Sequence, residues 1–176
     1  MTVVIPFCPA DANQALALLE YIGQLGGCQE YNCLLVVDAA IDWAKCVDAL
    51  TLANRAFRDA RIITTETPVT GWPAGANALW LKAAHYCKIA RTSFLWLEAD
   101  SIPLKRGWLV AIDKMRRATT YFGHIYMYRE QVMKVMSGIA VYPENAIDLI
   151  GPIIEANPTK AWDVSSAEAV VPLATH

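Results

Sequence analysis

The fold is decided by a short apolar run that ends in two acidic side chains, Phe94-Leu95-Trp96-Leu97-Glu98-Ala99-Asp100-Ser101. A continuous apolar run of this kind is typical of a strand covered on both faces of a parallel sheet, and it predicts a strand over 92–97. Hard divalent cations bind one or two protein carboxylates together with substrate phosphates, so Glu98 and Asp100 suit such a cation. Taken alone, an acidic pair after a strand more often begins a loop or caps a helix.

Upstream of this run, strand-like and helix-like patterns alternate. Compact apolar runs predict strands over 2–7, 33–37 and 61–64. The first helix is predicted to begin with Asp11 as its cap, Gln14 returning the hydrogen bond, and to end at the glycine pair 26–27. The second is predicted to carry one apolar face, made of Trp43, Cys46, Leu50, Ala53 and Phe57. A third, over 76–88, follows an irregular loop over 65–75 that is rich in Thr, Pro and Gly.

Downstream, helices are predicted over 105–117 and 144–156, with extended segments over 121–129 and 138–142 between them. Repeated strand–helix units predict an α/β sandwich with a mainly parallel sheet. Ligands of such sheets bind beyond the carboxyl ends of the strands, which here selects residues 7–11, 38–41 and 98–101.

Asp38 ends a second apolar strand at the same predicted edge. Its carboxylate either accepts hydrogen bonds from a ribose or base, or caps the helix that begins near Ile41, and the sequence leaves both interpretations open. Pro6 and Pro9 keep the first strand–helix turn out of helical geometry, so backbone groups there are free to face a ligand. No Gly-x-Gly-x-x-Gly or Gly-Lys-Ser/Thr loop is present, which disfavours dinucleotide oxidoreductases and P-loop proteins.

Composition predicts one folded domain over 1–176, because 55% of the residues are hydrophobic and 18% are charged. The net charge of −2 gives no electrostatic indication of nucleic-acid binding, although it leaves nucleic acid open as an acceptor. No apolar run is long enough to predict a membrane span, and the N-terminus does not have the pattern of a signal peptide. The five cysteines lack paired metal spacing and predict reduced thiols in a cytoplasmic protein.

Several stretches together resemble the nucleotide-binding half of a GT-A glycosyltransferase, similar to the large inverting family with a single mixed sheet. The region from Phe94 to Leu109 is similar to the Asp-x-Asp strand, turn and helix of that family. The glycine-containing stretch 75–79 resembles a loop and helix of the family but lacks its usual Arg-Asn pair. The other matching stretches are Val3-Val4-Ile5-Pro6-Phe7, Leu34-Leu35-Val36-Val37-Asp38 and Ser137-Gly138-Ile139-Ala140-Val141-Tyr142.

The resemblance implies a Rossmann-like GT-A α/β/α sandwich that transfers a sugar from a nucleoside diphosphate donor, with a UDP-sugar favoured, to a hydroxyl acceptor. It implies Mn²⁺ or Mg²⁺ held by Asp100, Glu98 and His176. Glu98 stands where the family has its first aspartate, so Asp100 is expected to bind the metal directly and Glu98 to meet the ribose or a metal-bound water. The residues expected at the donor are Pro6, Phe7, Cys8, Asp38, Asn77, Glu98, Ala99 and Asp100.

For the acceptor side, a carboxylate is expected to take the hydroxyl proton during displacement with inversion. Asp163 is the first choice and Glu168 the second, and the alternative for Asp163 is to cap a short terminal helix. Trp72 lies in the Pro- and Gly-rich loop, where it is placed to close over the sugar or the nucleotide.

Two other functions fit the same pattern. A nucleotidyltransferase acting on a sugar phosphate shares the architecture, although the first turn lacks the expected Gly-rich, Arg- and Lys-bearing signature. A catalytically silent nucleotide-binding domain would keep the fold without turnover.

Overall fold

The computed structural model describes residues 1–69, 71–116, 120–128 and 133–175. Within these residues the strands form one mixed sheet in the order β3-β2-β1-β4-β6-β5-β7. The strands are β1 (Thr2–Phe7), β2 (Cys28–Val37), β3 (Phe57–Thr64), β4 (Phe94–Trp96), β5 (Tyr121–Tyr128), β6 (Met133–Tyr142) and β7 (Ala174–Thr175). The first four are parallel, whereas β6 runs antiparallel to both β4 and β5.

Helices cover both faces of this sheet. They are α1 (Ala12–Gln24), α2 (Trp43–Ala56), α3 (Ala74–Ile89), α4 (Trp108–Met115), α5 (Ala146–Ala156), α6 (Trp162–Ser165) and α7 (Ala167–Val170). Because side chains alternate along a strand, Val3 and Ile5 of β1 join the core that contains α1, α2 and α4, while Val4 joins the core that contains α3 and α5 to α7. The α/β/α sandwich with a mainly parallel sheet is therefore confirmed.

Several local predictions are corrected. Asp11 occupies the cap position of α1, but its side chain makes no capping bond because its backbone is helical rather than extended. Its carboxylate instead accepts a bond from the Cys8 thiol at 3.0 Å. Trp43, expected on the apolar face of α2, is 63% exposed. Phe57 begins β3 rather than belonging to α2, and Gly107 in the left-handed region delays the start of α4 to Trp108.

Among the described residues, no helix is both long enough and apolar enough to cross a bilayer.

Candidate functional site

A cavity of about 560 Å³ opens at the carboxyl ends of the parallel strands, as expected for ligand sites in this architecture. Its walls come from the ends of β1, β2 and β4, from the loop before α3 and from the first turns of α1 and α3. Of the residues predicted at the donor, all but Asn77 line it: Pro6, Phe7, Cys8, Asp38, Glu98, Ala99 and Asp100. The structure thus brings together residues from three separate stretches of the sequence.

The acidic pair lies on a tight turn directly after β4. The Leu97 N–H donates to the Val4 carbonyl at 2.9 Å, and the Ser101 N–H donates to the Glu98 carbonyl at 3.0 Å, so the turn is held by the sheet on one side and closed on the other. The side chain of Asp100 is exposed. It has no hydrogen-bond or ion-pair partner in the part of the chain that the structure describes.

Glu98 carries a perturbed carboxyl group. One side of its side chain is open to solvent, but protein atoms crowd around the carboxyl. This desolvation, followed by the negative charge of Asp100, raises the pKa of Glu98. A cation bound near the two carboxylates would relieve that repulsion.

Asp38 is held by the protein itself and is only 2% exposed. Its Oδ1 accepts from the Ala40 N–H at 2.8 Å and its Oδ2 accepts from the Val69 N–H at 2.9 Å. The alternative that Asp38 caps α2 is wrong, because Asp42 accepts the bond from the Ala44 N–H at 3.0 Å. Asp38 therefore fastens the loop before α3 to the end of β2.

That loop forms the outer wall of the cavity. Thr65 strengthens its attachment, since its Oγ1 accepts from the Ala39 N–H at 2.9 Å and donates to the Thr67 carbonyl at 3.0 Å. Trp72 follows on the same loop, lines the cavity and is 71% exposed. An exposed indole beside the cavity can pack against a bound ring, and the contact predicted for Trp72 from the sequence stays a prediction.

The cavity is strongly acidic. Asp11, Asp38, Glu98 and Asp100 line it, and none of the lining residues that the structure describes is Lys, Arg or His. Across the described ranges, no group of three or more His, Cys, Asp and Glu side chains is arranged to hold a metal ion. His176, the predicted third ligand, lies outside the described residues. These carboxylates would repel a phosphate-bearing ligand in the absence of a cation.

The predicted base lies beside the acidic turn rather than in the cavity wall. Asp163 is partly buried on α6, and its Oδ1 accepts from its neighbour Val164 at 2.9 Å. Burial raises the pKa of Asp163, and its negative charge contributes to the raised pKa of Glu98. Gly138 of β6 lies beside both Glu98 and Trp162, the residue before Asp163: a Cβ there would be 3.2 Å from Glu98 Oε1 and 3.4 Å from the Trp162 ring. Glu168, the second choice, is exposed on α7 and does not line the cavity.

Asn77 has a different environment from the one expected. It is 4% exposed, and both ends of its amide bind the backbone of residues 160–162 instead of facing the cavity. Its neighbours on the first turns of α3, Gly75, Ala76 and Leu79, line the cavity.

Sequence reasoning left several lining residues unassigned at the site. Asp11 was interpreted as a helix cap and Trp96 as core, and Gln14, Val69 and Leu79 were not assigned to a ligand. The rule of strand ends did select residues 7–11, so Asp11 carried a signal. Val69 carried none, because its place depends on the bond to Asp38.

Comparison with known proteins gives fold relatives only among solved structures, since no protein-family model and no curated protein matches the sequence. The glycosyltransferase GlyE of Streptococcus pneumoniae TIGR4 superposes with a TM-score of 0.66 at 8% identity, covering 99% of this chain and 44% of GlyE. The galactosyltransferase LgtC, in complex with donor and acceptor sugar analogues, superposes with a TM-score of 0.66 at 10% identity, covering 99% of this chain and 72% of LgtC. The mannosyltransferase PcManGT of Pyrobaculum calidifontis, in complex with GDP-Man and Mn²⁺, gives 0.57 at 13% identity, covering 94% of this chain and 50% of PcManGT.

At these identities the likeness shows the fold, and it confirms the Rossmann-like GT-A sandwich. The chain spans less than half the length of GlyE and half that of PcManGT. The activities of those whole proteins are therefore a matter of proposal for this chain.

Proposed function

We propose that the chain is a metal-dependent glycosyltransferase that moves a sugar from a nucleoside diphosphate donor to a hydroxyl acceptor, all within one domain over 1–176. The observation that carries the proposal is the acidic cavity at the strand ends. There Asp100, which has no hydrogen-bond or ion-pair partner among the described residues, faces a space large enough for a nucleotide sugar. The fold relatives support it, because LgtC was solved with donor and acceptor sugar analogues and PcManGT with GDP-Man and Mn²⁺.

The residues present fit a divalent cation. Asp100 and Glu98 supply two carboxylates on one turn, and Mg²⁺ or Mn²⁺ commonly takes one or two carboxylates and completes its shell with phosphates and water. We assign Asp100 as the direct ligand and Glu98 as a second ligand or a partner of the ribose. A bound cation would neutralise the diphosphate and make it a better leaving group.

The protein's own groups divide the remaining work. Asp11 and Gln14, which line the cavity, are assigned to the nucleoside, and the exposed indole of Trp72 is assigned to pack on a bound ring. Asp163 is assigned as the base that takes the acceptor proton, because it is a partly buried carboxyl whose charge acts on Glu98 of the acidic turn, and burial raises its pKa. A base on the acceptor side favours direct displacement with inversion, and a UDP-sugar is the proposed donor.

The acidic lining argues against the nucleotidyltransferase alternative. A nucleoside triphosphate brings more negative charge than a diphosphate sugar, and none of the described lining residues is Lys, Arg or His. The free state of all five cysteines fits a reducing compartment, and we propose the cytoplasm.

The first test is a thermal-shift panel of UDP, GDP, ADP and CDP, each with and without Mn²⁺. A ligand that binds only the folded state raises Tm, so one nucleoside diphosphate is expected to stabilise the protein when Mn²⁺ is present and to have little effect without it. Failure of all four in the presence of Mn²⁺ would contradict the proposal.

The second test follows the product of the matching nucleotide sugar. Release of the nucleoside diphosphate supports transfer, whereas binding without release identifies a silent nucleotide-binding domain. Release of pyrophosphate from a nucleoside triphosphate and sugar phosphate would identify a nucleotidyltransferase. NMR of the first-formed sugar product determines the anomeric configuration, and retention would overturn the inverting mechanism while leaving donor binding intact.

A further inference from the structure

Asn77 joins two distant parts of the chain through a buried pair of hydrogen bonds. Its Nδ2 donates to the Lys160 carbonyl at 2.9 Å, and its Oδ1 accepts from the Trp162 N–H at 2.9 Å. A buried amide whose nitrogen and oxygen both bond to one backbone segment holds that segment in position, because breaking either bond leaves a buried polar group unpaired. The fixed segment ends immediately before Asp163.

Aromatic packing of the Trp162 ring also restrains the segment 160–162. The Trp162 ring is stacked on Trp80 with a centroid distance of 5.4 Å and an angle of 22°. It meets Trp96 edge-on at 5.9 Å and Tyr142 edge-on at 5.5 Å. Trp80 lies three residues after Asn77 on α3, so one helix supplies both the polar and the stacking contacts to Trp162.

The same part of α3 also faces the donor cavity. Gly75 and Ala76 precede Asn77 and line the cavity, and so does Leu79 on the next turn. On the far side, Gly138 packs between the Trp162 ring and Glu98 Oε1. The wall of the donor cavity and the segment that carries Asp163 are therefore connected through a single turn of helix.

From this geometry we infer that Asn77 is a positioning residue: it holds the backbone of residues 160–162 so that Asp163 stands at a fixed place beside Glu98 and the donor. The inference rests on the proposed function, in which Asp163 is the base. Asn77 itself touches neither the cavity nor the reacting atoms, so it acts only through Asp163.

The primary variant is Asn77→Ala, assayed by release of the nucleoside diphosphate from the donor that the panel identifies. Misplacing a base by about 1 Å costs on the order of a hundredfold in rate, so kcat is expected to fall about 10- to 100-fold. The donor KM and the Mn²⁺-dependent thermal shift are expected to stay within about twofold, because the cavity wall keeps all its lining side chains. An equal rise in KM would overturn the inference.

Asn54, an exposed asparagine on α2, provides a control for the loss of a pair of amide hydrogen bonds. Its Nδ2 donates to the Leu50 carbonyl at 3.0 Å and its Oδ1 accepts from the Ala60 N–H at 3.1 Å, the same pair of bonds at a place that does not line the cavity. Asn54→Ala is expected to leave kcat unchanged. A comparable loss of kcat in this variant would mean that general loosening of the fold, and not the position of Asp163, explains the effect at Asn77.

A double-mutant cycle separates the inference from the function on which it rests. If Asn77 acts only through Asp163, then Asn77→Ala in an Asp163→Asn background causes no further loss of kcat. If the double variant instead shows the product of the two single losses of kcat, the role of Asn77 is overturned and Asp163 remains the base. A wild-type rate in Asp163→Asn alone overturns the base, and with it the mechanism proposed above.

A second variant keeps the test decisive if Asn77→Ala is unfolded at the assay temperature. Asn77→Asp keeps an oxygen acceptor for the Trp162 N–H but cannot donate to the Lys160 carbonyl. Asn77→Asp is expected to lower kcat less than Asn77→Ala does. Combined with Asp163→Asn, it is expected to cause no further loss of kcat. Amide hydrogen exchange at Trp162 is expected to quicken in Asn77→Ala, which removes the acceptor of that N–H, and to change less in Asn77→Asp. Unchanged exchange in Asn77→Ala, measured at a temperature where it is folded, would contradict the role of Asn77.

Discussion

Asp38 and Asp100 share one sequence pattern but have different environments in the structure. Each follows an apolar strand of the parallel half of the sheet, and each lines the same cavity. Asp38 is 2% exposed, and its two oxygens accept backbone N–H groups at 2.8 and 2.9 Å. Asp100 is exposed on a turn and has no hydrogen-bond or ion-pair partner among the described residues.

This difference distinguishes a carboxylate that stabilises the cavity wall from one that is expected to bind a ligand there. A carboxylate whose oxygens are paired with backbone is satisfied in the absence of ligand and stabilises the loop that it holds. Asp100, which has no hydrogen-bond or ion-pair partner among the described residues, supports no loop in this way, and its charge contributes to the raised pKa of Glu98. Removing Asp38 should therefore damage the fold, whereas removing Asp100 should damage only the chemistry.

The largest expected effect is that of Asp100→Ala on turnover. Losing the direct cation ligand removes several kcal/mol of charge stabilisation, so donor turnover is expected to fall about a thousandfold or more. The Mn²⁺-dependent thermal shift by the nucleotide is expected to disappear with it. Tm of the unliganded protein is expected to stay unchanged, as measured by calorimetry.

Asp48→Ala is the control for that variant, since Asp48 is exposed on α2 and does not line the cavity. It is expected to retain both turnover and the thermal shift. Undiminished turnover in Asp100→Ala would break the comparison, because Asp100 would then be no more functional than any surface aspartate.

The next effect is that of Asp38→Ala on stability. Two backbone N–H groups, those of Ala40 and Val69, lose their charged acceptor, and a hydrogen bond to a charged group contributes about 1.5–3 kcal/mol. The free energy of unfolding in urea is expected to fall by about 2–4 kcal/mol. A variant as stable as the wild type that has lost only nucleotide binding would show that Asp38 contacts the donor instead of anchoring the loop.

The contrast between Asp38 and Asp100 also shows how much of the site could be predicted from the sequence. Strand periodicity and the rule of strand ends predicted the sheet edge and most of the cavity residues, because both depend on local pattern and on topology. Neither rule tells whether a carboxylate at that edge faces a ligand or backbone. That depends on where Val69 lies, 31 residues after Asp38, and no local pattern encodes that distance.

Asn77 was misplaced for a similar reason. Its position after Gly75 and Ala76 indicated the donor, and those two neighbours do line the cavity. Its own side chain points to residues 160–162, more than eighty positions away, and the hydrogen bonds that hold it there are set by tertiary packing. Of the antiparallel half of the sheet, only the extended segments 121–129 and 138–142 were predicted. No sequence pattern indicated that Gly138 lies beside Glu98 and Trp162.

A smaller effect is expected from Trp72→Ala, which tests the loop that Asp38 anchors. Because Trp72 is 71% exposed, its removal should leave the free energy of unfolding nearly unchanged. Loss of one ring contact costs about 1 kcal/mol, so calorimetric nucleotide affinity is expected to weaken about fivefold. Trp43→Ala, at 63% exposure and away from the cavity lining, is expected to bind as the wild type does. Equal affinities for both variants would show that the anchored loop does not contact the ligand.

The smallest expected effect extends the comparison to Asp163, which is assigned a functional role although burial raises its pKa above the ordinary 3.8. The folded state then binds a proton more tightly than the unfolded state, so stability present at low pH is lost as pH rises through the folded pKa. Asp163→Asn keeps an oxygen for the Val164 N–H and carries no charge, so it is expected to raise Tm at pH 7 by about 1–3 °C. The gain should vanish below pH 4, where the wild-type carboxyl is also protonated, and the exposed control Glu155→Gln should show no such pH dependence. If Asp163→Asn is less stable than the wild type at pH 7, then Asp163, like Asp38, is a carboxylate that stabilises the fold.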